Sequence, residues 1–316
     1  MKKKWVLGLT LVLSLAIFTA TAYPWGAATH AYIAKQIGKS TAGAEANEIY
    51  GIMVPDLVNF MLNSPYRNYL YDQTHHNALR VWHQARKGRK YELEQALGFG
   101  FAAHNDSWGA DYTAHHDGRT WGQGVGYVIA KAALLESNLA AYGIWASLGV
   151  DGPEYAPLRL ELCHEVIEIA VDVRVWMLDN GIGTSVLQAN QTRDNNMKKL
   201  LQRAFAGNLV AYSNQISMPL NQPQAEALLF DAEANFRQTM SMYGFVFALP
   251  TMDLVITGLA NYLAVLAQQG YGLSIPPAQI EGAIGAGLLF TEDAFAEIGA
   301  TVAYVQEQLA AHKVQY

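Results

Sequence analysis

Apolar residues recur along most of this chain every three or four positions, the spacing that places them on one face of an α-helix. The pattern predicts helices over Ala28–Ile37, over Ala44–Phe60 with an interruption at Pro55, and over Asn77–Arg86, Tyr91–His104, Tyr127–Leu148 and Leu158–Asp179. A short helix is expected to begin at Asp111. Further helices are expected at about 192–208, 223–245, 252–268, 277–289 and 292–311, punctuated by Pro219, Pro223, Pro250, Pro276 and Pro277. Alternating strands, repeats and low-complexity tracts are not evident, so the expected class is all-α. Met252 to Gly270 is strongly apolar, but Asp253 and Asn261 interrupt it, which favours a buried helix over a membrane span.

The first residues follow a different pattern. Lys2, Lys3 and Lys4 precede an apolar run from Trp5 to Phe18, and small residues stand at Ala20 and Ala22. That is the order of parts in a secretory signal peptide, with cleavage expected after Ala22 and a protein that is exported, periplasmic or secreted. No cysteine stands near that point, which argues against a lipoprotein anchor. The expected organisation is a signal peptide over 1–22, a helical domain over 23–180 and a helical extension over 181–316 packed on it.

Composition narrows the function classes. Half of the chain, 51%, is hydrophobic and 15% is charged, enough apolar material for a sizeable core. The formal charge of -6 becomes more negative without the three leading lysines, so a stable nucleic-acid partner held through phosphate contacts is not expected. Cys163 is the only cysteine, so no internal disulfide can form.

Histidine carries the chemical signal. Eight of the nine lie between His30 and His164. His164 and Glu168 are four apart, so a helix presents imidazole and carboxylate together, half of a tetrahedral zinc shell. Glu161 and Glu165 are neighbouring alternatives, and Asp172 lies one further turn along, a candidate acceptor behind the ligands. Asp111 and His115 repeat the four-residue spacing, within a stretch that also holds His104, Asp106 and His116. Ionisable groups flanked by apolar helices are costly unless paired or metal-bound. One of the adjacent pair His75 and His76 is a candidate ligand, and His83 reads as a surface residue. Asp56 follows Pro55, and His30 follows Trp25-Gly26 near the start of the first helix.

Taken in order, Trp25-Gly26 with Thr29-His30, Val54-Pro55-Asp56, Thr74-His75-His76, the helix ending at His104, Asp111 with His115, and His164 with Glu168 resemble the zinc-dependent phospholipase C and S1/P1 nuclease superfamily. The similarity covers roughly residues 25–172. It implies a multi-helix bundle of that type, to which the C-terminal helical region is an addition. It also implies two to three zinc ions. One would take Asp56, His75 or His76, His104 and Asp111. A second would take His115, His164 and Glu168. A third would take Trp25, His30 and the bridging Asp111. Asp56 is also the residue to which the resemblance assigns the attacking water. His104 and Asp111 stand seven apart here, where the family spaces them by one helical turn, which leaves Asp106 as an alternative to Asp111, and Asp117–Leu158 is longer than the family's segment between its ligand histidines. The implied activity is phospholipase C-like hydrolysis of phosphate esters, with phospholipid as substrate and a membrane surface as a possible contact. The sequence leaves open a nuclease that stacks bases on Trp108, Tyr112 and Trp121, and a non-catalytic zinc-binding helical protein.

Overall fold

Helices carry the fold: this computed structural model describes residues 25–39, 41–61, 64–87 and 92–316, and among them are fifteen α-helices, two short 3-10 segments and no strand. The chain is all-α, as its periodicity predicts. The expected signal peptide lies outside the described residues. The chain up to residue 180 comprises α1 (Ala27–Ile37), α2 (Ala42–Met53), a 3-10 segment (Val54–Phe60), α3 (Arg67–His75), α4 (Leu79–Lys87), α5 (Glu92–His104), α6 (Ala110–His115), α7 (Tyr127–Ala141), α8 (Ile144–Ser147), a 3-10 turn (Pro153–Tyr155) and α9 (Ala156–Leu178). After it come α10 (Ile182–Thr192), α11 (Met197–Gln215), α12 (Gln222–Phe247), α13 (Met252–Tyr271), α14 (Pro277–Phe290) and α15 (Ala294–Ala311).

Two close approaches set the frame. A methyl group added at Gly51 of α2 would collide with the Leu97 carbonyl of α5, and one added at Gly100 would collide with the Glu48 carbonyl. The backbones of α2 and α5 therefore touch where they pass. That contact sets the 3-10 segment bearing Asp56 beside the C-terminal end of α5, which is His104. The second approach concerns the start of α1. Its first backbone N–H groups have no partners within the helix, and Gly26 offers no side chain to cap them. Asp172 of α9 takes over. It accepts from Ala28 N at 2.9 Å, Thr29 N at 2.7 Å and Thr29 Oγ1 at 2.5 Å, while Tyr243 OH donates to it at 2.7 Å. A side chain on Gly26 would occupy the place of that carboxylate.

Helices on both sides of residue 180 share one apolar core, from Trp25 through Phe101, Ile167 and Phe205 to Val314. Polar pins cross it as well. Glu233 of α12 accepts from Tyr50 OH at 2.7 Å and from Arg193 Nε at 2.7 Å. Thr301 of α15 bonds Thr113 of α6 at 2.8 Å. In α13, Val255, Leu259, Ala260, Leu263 and Ala267 are buried, so this apolar helix is a core element. No helix among the described residues is long and apolar enough to cross a membrane.

Three elements depart from the periodicity. The helix predicted over Tyr127–Leu148 stops at Ala141, because Gly143 turns to φ 68° and starts the separate α8. Helix α3 is absent from the sequence reading because its buried face is polar, with Gln73, Thr74 and His75 beside Leu70. Helix α10 is rich in Gly, Thr, Ser, Val and Asn, all weak helix formers. It is held by tertiary contact: Asn190 Nδ2 donates to Arg237 O at 2.8 Å and Ser241 Oγ at 2.5 Å.

Gly100→Ala is expected to destabilise the protein by roughly 1–3 kcal/mol, the usual cost of forcing a methyl into a packed contact. Urea unfolding followed by circular dichroism reads this directly. An unchanged midpoint would mean that the α2–α5 contact yields at little cost.

Candidate metal centre

Three helices end on an imidazole. His75 closes α3, His104 closes α5 and His115 closes α6. Their C-terminal ends, the negative ends of the helix dipoles, meet in one region, where the field favours a cation. The other candidate groups come from separate elements: His30 from α1, Asp56 from the 3-10 segment, Asp111 from α6, and His164 with Glu168 from α9.

The side chains converge in three sets whose ligand atoms lie within 4.8 Å of one another: His30, His104 and Asp111; Asp56, His75 and His104; and His115, His164 and Glu168. Asp111 joins the first two. Its Oδ1 is hydrogen-bonded to His30 Nε2 at 2.9 Å, and its Oδ2 lies 2.7 Å from His104 Nε2 and 3.7 Å from His75 Nε2. Asp56 Oδ1 lies 3.5 Å from His75 Nε2 and 3.8 Å from His104 Nε2. In the third set His115 Nε2 faces His164 Nε2 at 3.3 Å, and His164 Nε2 lies 2.7 Å from Glu168 Oε1. Two ligands about 2.1 Å from a tetrahedral zinc ion stand about 3.4 Å apart, so these separations suit a shared cation.

Alignment supports the same conclusion. His75 Nε2, His104 Nε2, Asp111 Oδ2 and Glu168 Oε1 are buried atoms without a hydrogen bond. His104 and Asp111 approach to 2.7 Å, as do His164 and Glu168, yet neither contact has hydrogen-bond geometry. The atoms stand close together yet unpaired. Native proteins rarely bury so many polar atoms unpaired. These buried histidines and carboxylates form groups that could hold metal ions.

Burial pushes the His104 imidazole down to about 3, against the opposing pull of the Asp56 carboxylate. Burial pushes the Asp111 carboxyl up to about 6 and Glu161 up to about 7. Glu165 and Glu168 are also raised, by burial first and then by neighbouring carboxylates. Burial works against ionised Asp56 too, but the His104 and His75 imidazoles outweigh it and hold that carboxyl below its ordinary value. Carboxyls held above their ordinary values are the signature of negative charge short of a counter-charge, which a divalent cation supplies.

The open choices in the sequence are decided by direction. Consecutive helical residues diverge, and of the adjacent pair His75 enters the cluster. His76 is exposed, with Nδ1 3.4 Å from Ser107 Oγ, and is not a ligand in any set. Asp111, not Asp106, occupies the shared position. Asp106 stands behind the ligands: its Oδ1 lies 3.3 Å from His115 Nδ1 and 3.0 Å from His116 Nε2, and its backbone N–H donates to His75 O at 2.9 Å. The seven-residue separation of His104 and Asp111 is absorbed by the turn between α5 and α6, where Asn105 Oδ1 accepts from Ser107 N at 3.0 Å and Trp108 N at 2.9 Å. The Trp25 indole is anchored, donating to Ala110 O at 3.0 Å and Thr113 Oγ1 at 3.2 Å. Ligation by a freed Trp25 amine falls on the junction with residues outside the described ones. Asp172 caps α1 and does not back a ligand on α9. His83 is exposed.

Several supporting residues were not legible in the sequence. Asn59 Nδ2 donates to Asp56 Oδ1 at 3.1 Å. Thr74 Oγ1 lies 2.8 Å from His75 Nδ1, and the Tyr71 ring stacks on His75 at 3.9 Å. Beside the candidate ligands a cleft is lined by Trp25, Met53, Asp56, Phe236, Tyr262 and Glu168, among others. Comparison of the chain with models of known families, with curated proteins and with solved structures finds no match. The functional reading therefore rests on the geometry of this site.

Two outcomes are expected. Asp106→Asn should weaken metal binding by about 10–100-fold, the usual effect of removing a carboxylate that orients a ligating imidazole; competition against a chromogenic chelator measures it, and unchanged affinity would count against that role. In chelator, the protein should lose stability as pH rises from about 6.5 to about 8. The raised carboxyls of Glu161, Glu165 and Glu168 contribute fully below their unfolded values near 4, and that contribution is lost as pH climbs through their folded values; Asp111, raised to about 6, has the same sign but its loss is complete below this window. His75, also raised, has the same sign. His104, held down to about 3, has the opposite sign, but its contribution is complete near its unfolded value of about 6.5. Urea midpoints at the two pH values test this, and a midpoint that rises with pH would contradict it.

Proposed function

We propose that this protein is an exported, zinc-dependent hydrolase of phosphate esters that cleaves phospholipids in the manner of the phospholipase C family. The observation that carries the reading is the convergence of imidazoles and carboxylates from six elements on three ligand sets, the first two sharing His104 and bridged by Asp111. One zinc ion would be held by Asp56, His75, His104 and Asp111, and a second by His115, His164 and Glu168. A third would take His30, Asp111 and the main chain of Trp25. Bound there, zinc lowers the pKa of water towards about 7 and neutralises charge growing on the phosphate.

The chain's own groups supply the rest. Asp56, kept ionised by its imidazole neighbours and oriented by Asn59, is placed to align and deprotonate the attacking water. Asp106 fixes the direction of the His115 ring. Met53, Phe60, Phe236 and Met240 give the cleft an apolar wall that excludes bulk water and suits a lipid substituent better than a sugar–phosphate backbone. Of the aromatic rings considered for base stacking, Trp108 is already engaged, stacked on His312 at 4.4 Å. Cleavage of a bilayer lipid would also require transient contact with a membrane surface.

Purified protein should carry zinc and release diacylglycerol from phosphatidylcholine vesicles, with the activity lost to chelator and restored by zinc. Single-stranded nucleic acid should remain intact. Asp56→Asn should lower kcat by about 10²–10⁴-fold, the range of a lost general base. Zinc without either activity would leave a metal-binding protein and end the hydrolase reading, and nucleic-acid cleavage would move it to the nucleases.

A further inference from the structure

A second cavity, larger than the cleft, adjoins it. About 110 Å³ of it is open to a water-sized group, against about 50 Å³ in the cleft, and it is walled by α7, α8, α9, α13 and α14, with Leu139, Trp145, Leu162, Leu266, Ile280 and Ala283 on its faces. Its polar groups are Asn59, Arg67, Glu165, Gln279 and Tyr271. Of these, Asn59 also bonds the proposed ligand Asp56. Glu165, Leu263 and Leu266 line both cavities, so the chamber and the metal-side cleft meet at these three side chains.

Such a space is costly to keep. Protein interiors close-pack, and an unfilled apolar cavity forfeits contacts that a slightly different set of side chains would recover. The walls are aliphatic, and Asn59 and Glu165 among the polar groups sit at the side facing the candidate metal centre. Much of the wall comes from α7, α8, α13 and α14, that is, from the long segment after Asp117 and from the C-terminal helices. The resemblance to phospholipase C accounts for neither. A ligand that matches both ends carries a phosphate at the metals and an aliphatic chain in the chamber.

We propose that the chamber between α7, α9, α13 and α14 takes up one unbranched aliphatic chain of the substrate, so that the chain is drawn out of the lipid phase and enclosed by protein during turnover. The assignment of the phosphate-bearing end to the metal centre rests on the hydrolase reading above; the binding of a chain in the chamber does not.

The test measures binding to metal-free protein, where no hydrolysis can interfere. Dodecylphosphocholine and its butyl analogue, both below their micelle concentrations, are titrated by calorimetry. Affinity should rise by about threefold to fourfold for each added methylene as the chain is buried. Gly270 lines the chamber near the end of α13, and a side chain added there meets no atom within 4 Å. Gly270→Trp should therefore fold normally and raise the dissociation constant for dodecylphosphocholine by about tenfold or more. Gly282→Trp, an equally open position on α14 that does not line the chamber, serves as the control and should bind as the unaltered protein does. Affinity independent of chain length, or equal binding by Gly270→Trp and Gly282→Trp, would overturn the proposal whatever the hydrolytic activity. Chain binding with the expected variant pattern in a protein that hydrolyses no phosphate ester would uphold the chamber and remove the hydrolase reading.

Discussion

A carboxylate sealed from water among three imidazoles sets the terms for the surrounding structure. Asp111 is fully buried, as are His30, His75 and His104 around it. Taking an ionised carboxylate into a protein interior is among the largest penalties a fold can carry, and it is tolerated only with close counter-charge or hydrogen bonds. Asp111 has one hydrogen bond, from His30, on one oxygen. Its other oxygen faces nitrogen atoms with which it makes no aligned bond. A cation among these atoms would resolve the imbalance, and the same cation would be an electrophile.

Holding that arrangement open requires rigidity from behind. The short helix α6 carries both Asp111 and His115 and would be unstable alone. It is clamped by the Trp25 indole and by Thr113, which reaches Thr301 on the last helix. His30 depends on α1, whose start is tied to Asp172 from 143 residues away. Asp56 depends on the glycine contact between α2 and α5. The candidate ligands are thus positioned by elements remote in sequence, including the C-terminal helices that contribute no imidazole or carboxylate to the three sets.

The same C-terminal helices change what the site can receive. Packed against α9, they line both the cleft and the larger apolar cavity that adjoins it. Glu165 stands where the two spaces meet, on the helix that also carries His164 and Glu168. One helix therefore faces the candidate metals with one set of side chains and the aliphatic chamber with another, a division that follows from its rotation of about 100° per residue.

Much of this was legible in the chain alone. Apolar periodicity is a local property, so the helical class and most helices could be read from it. The four-residue spacings of Asp111 with His115 and His164 with Glu168 announced shared faces, because a helix fixes the angle between such residues. What sequence left undecided were questions of direction in three dimensions. His75 and His76 differ only in which side of α3 they leave from. Asp106 and Asp111 differ only in how the turn after His104 folds. Helices α3 and α10 escaped notice because the first buries polar groups at the site and the second is stabilised by partners far along the chain. The chamber was invisible for the same reason: a cavity belongs to the gap between helices, and no single segment encodes it.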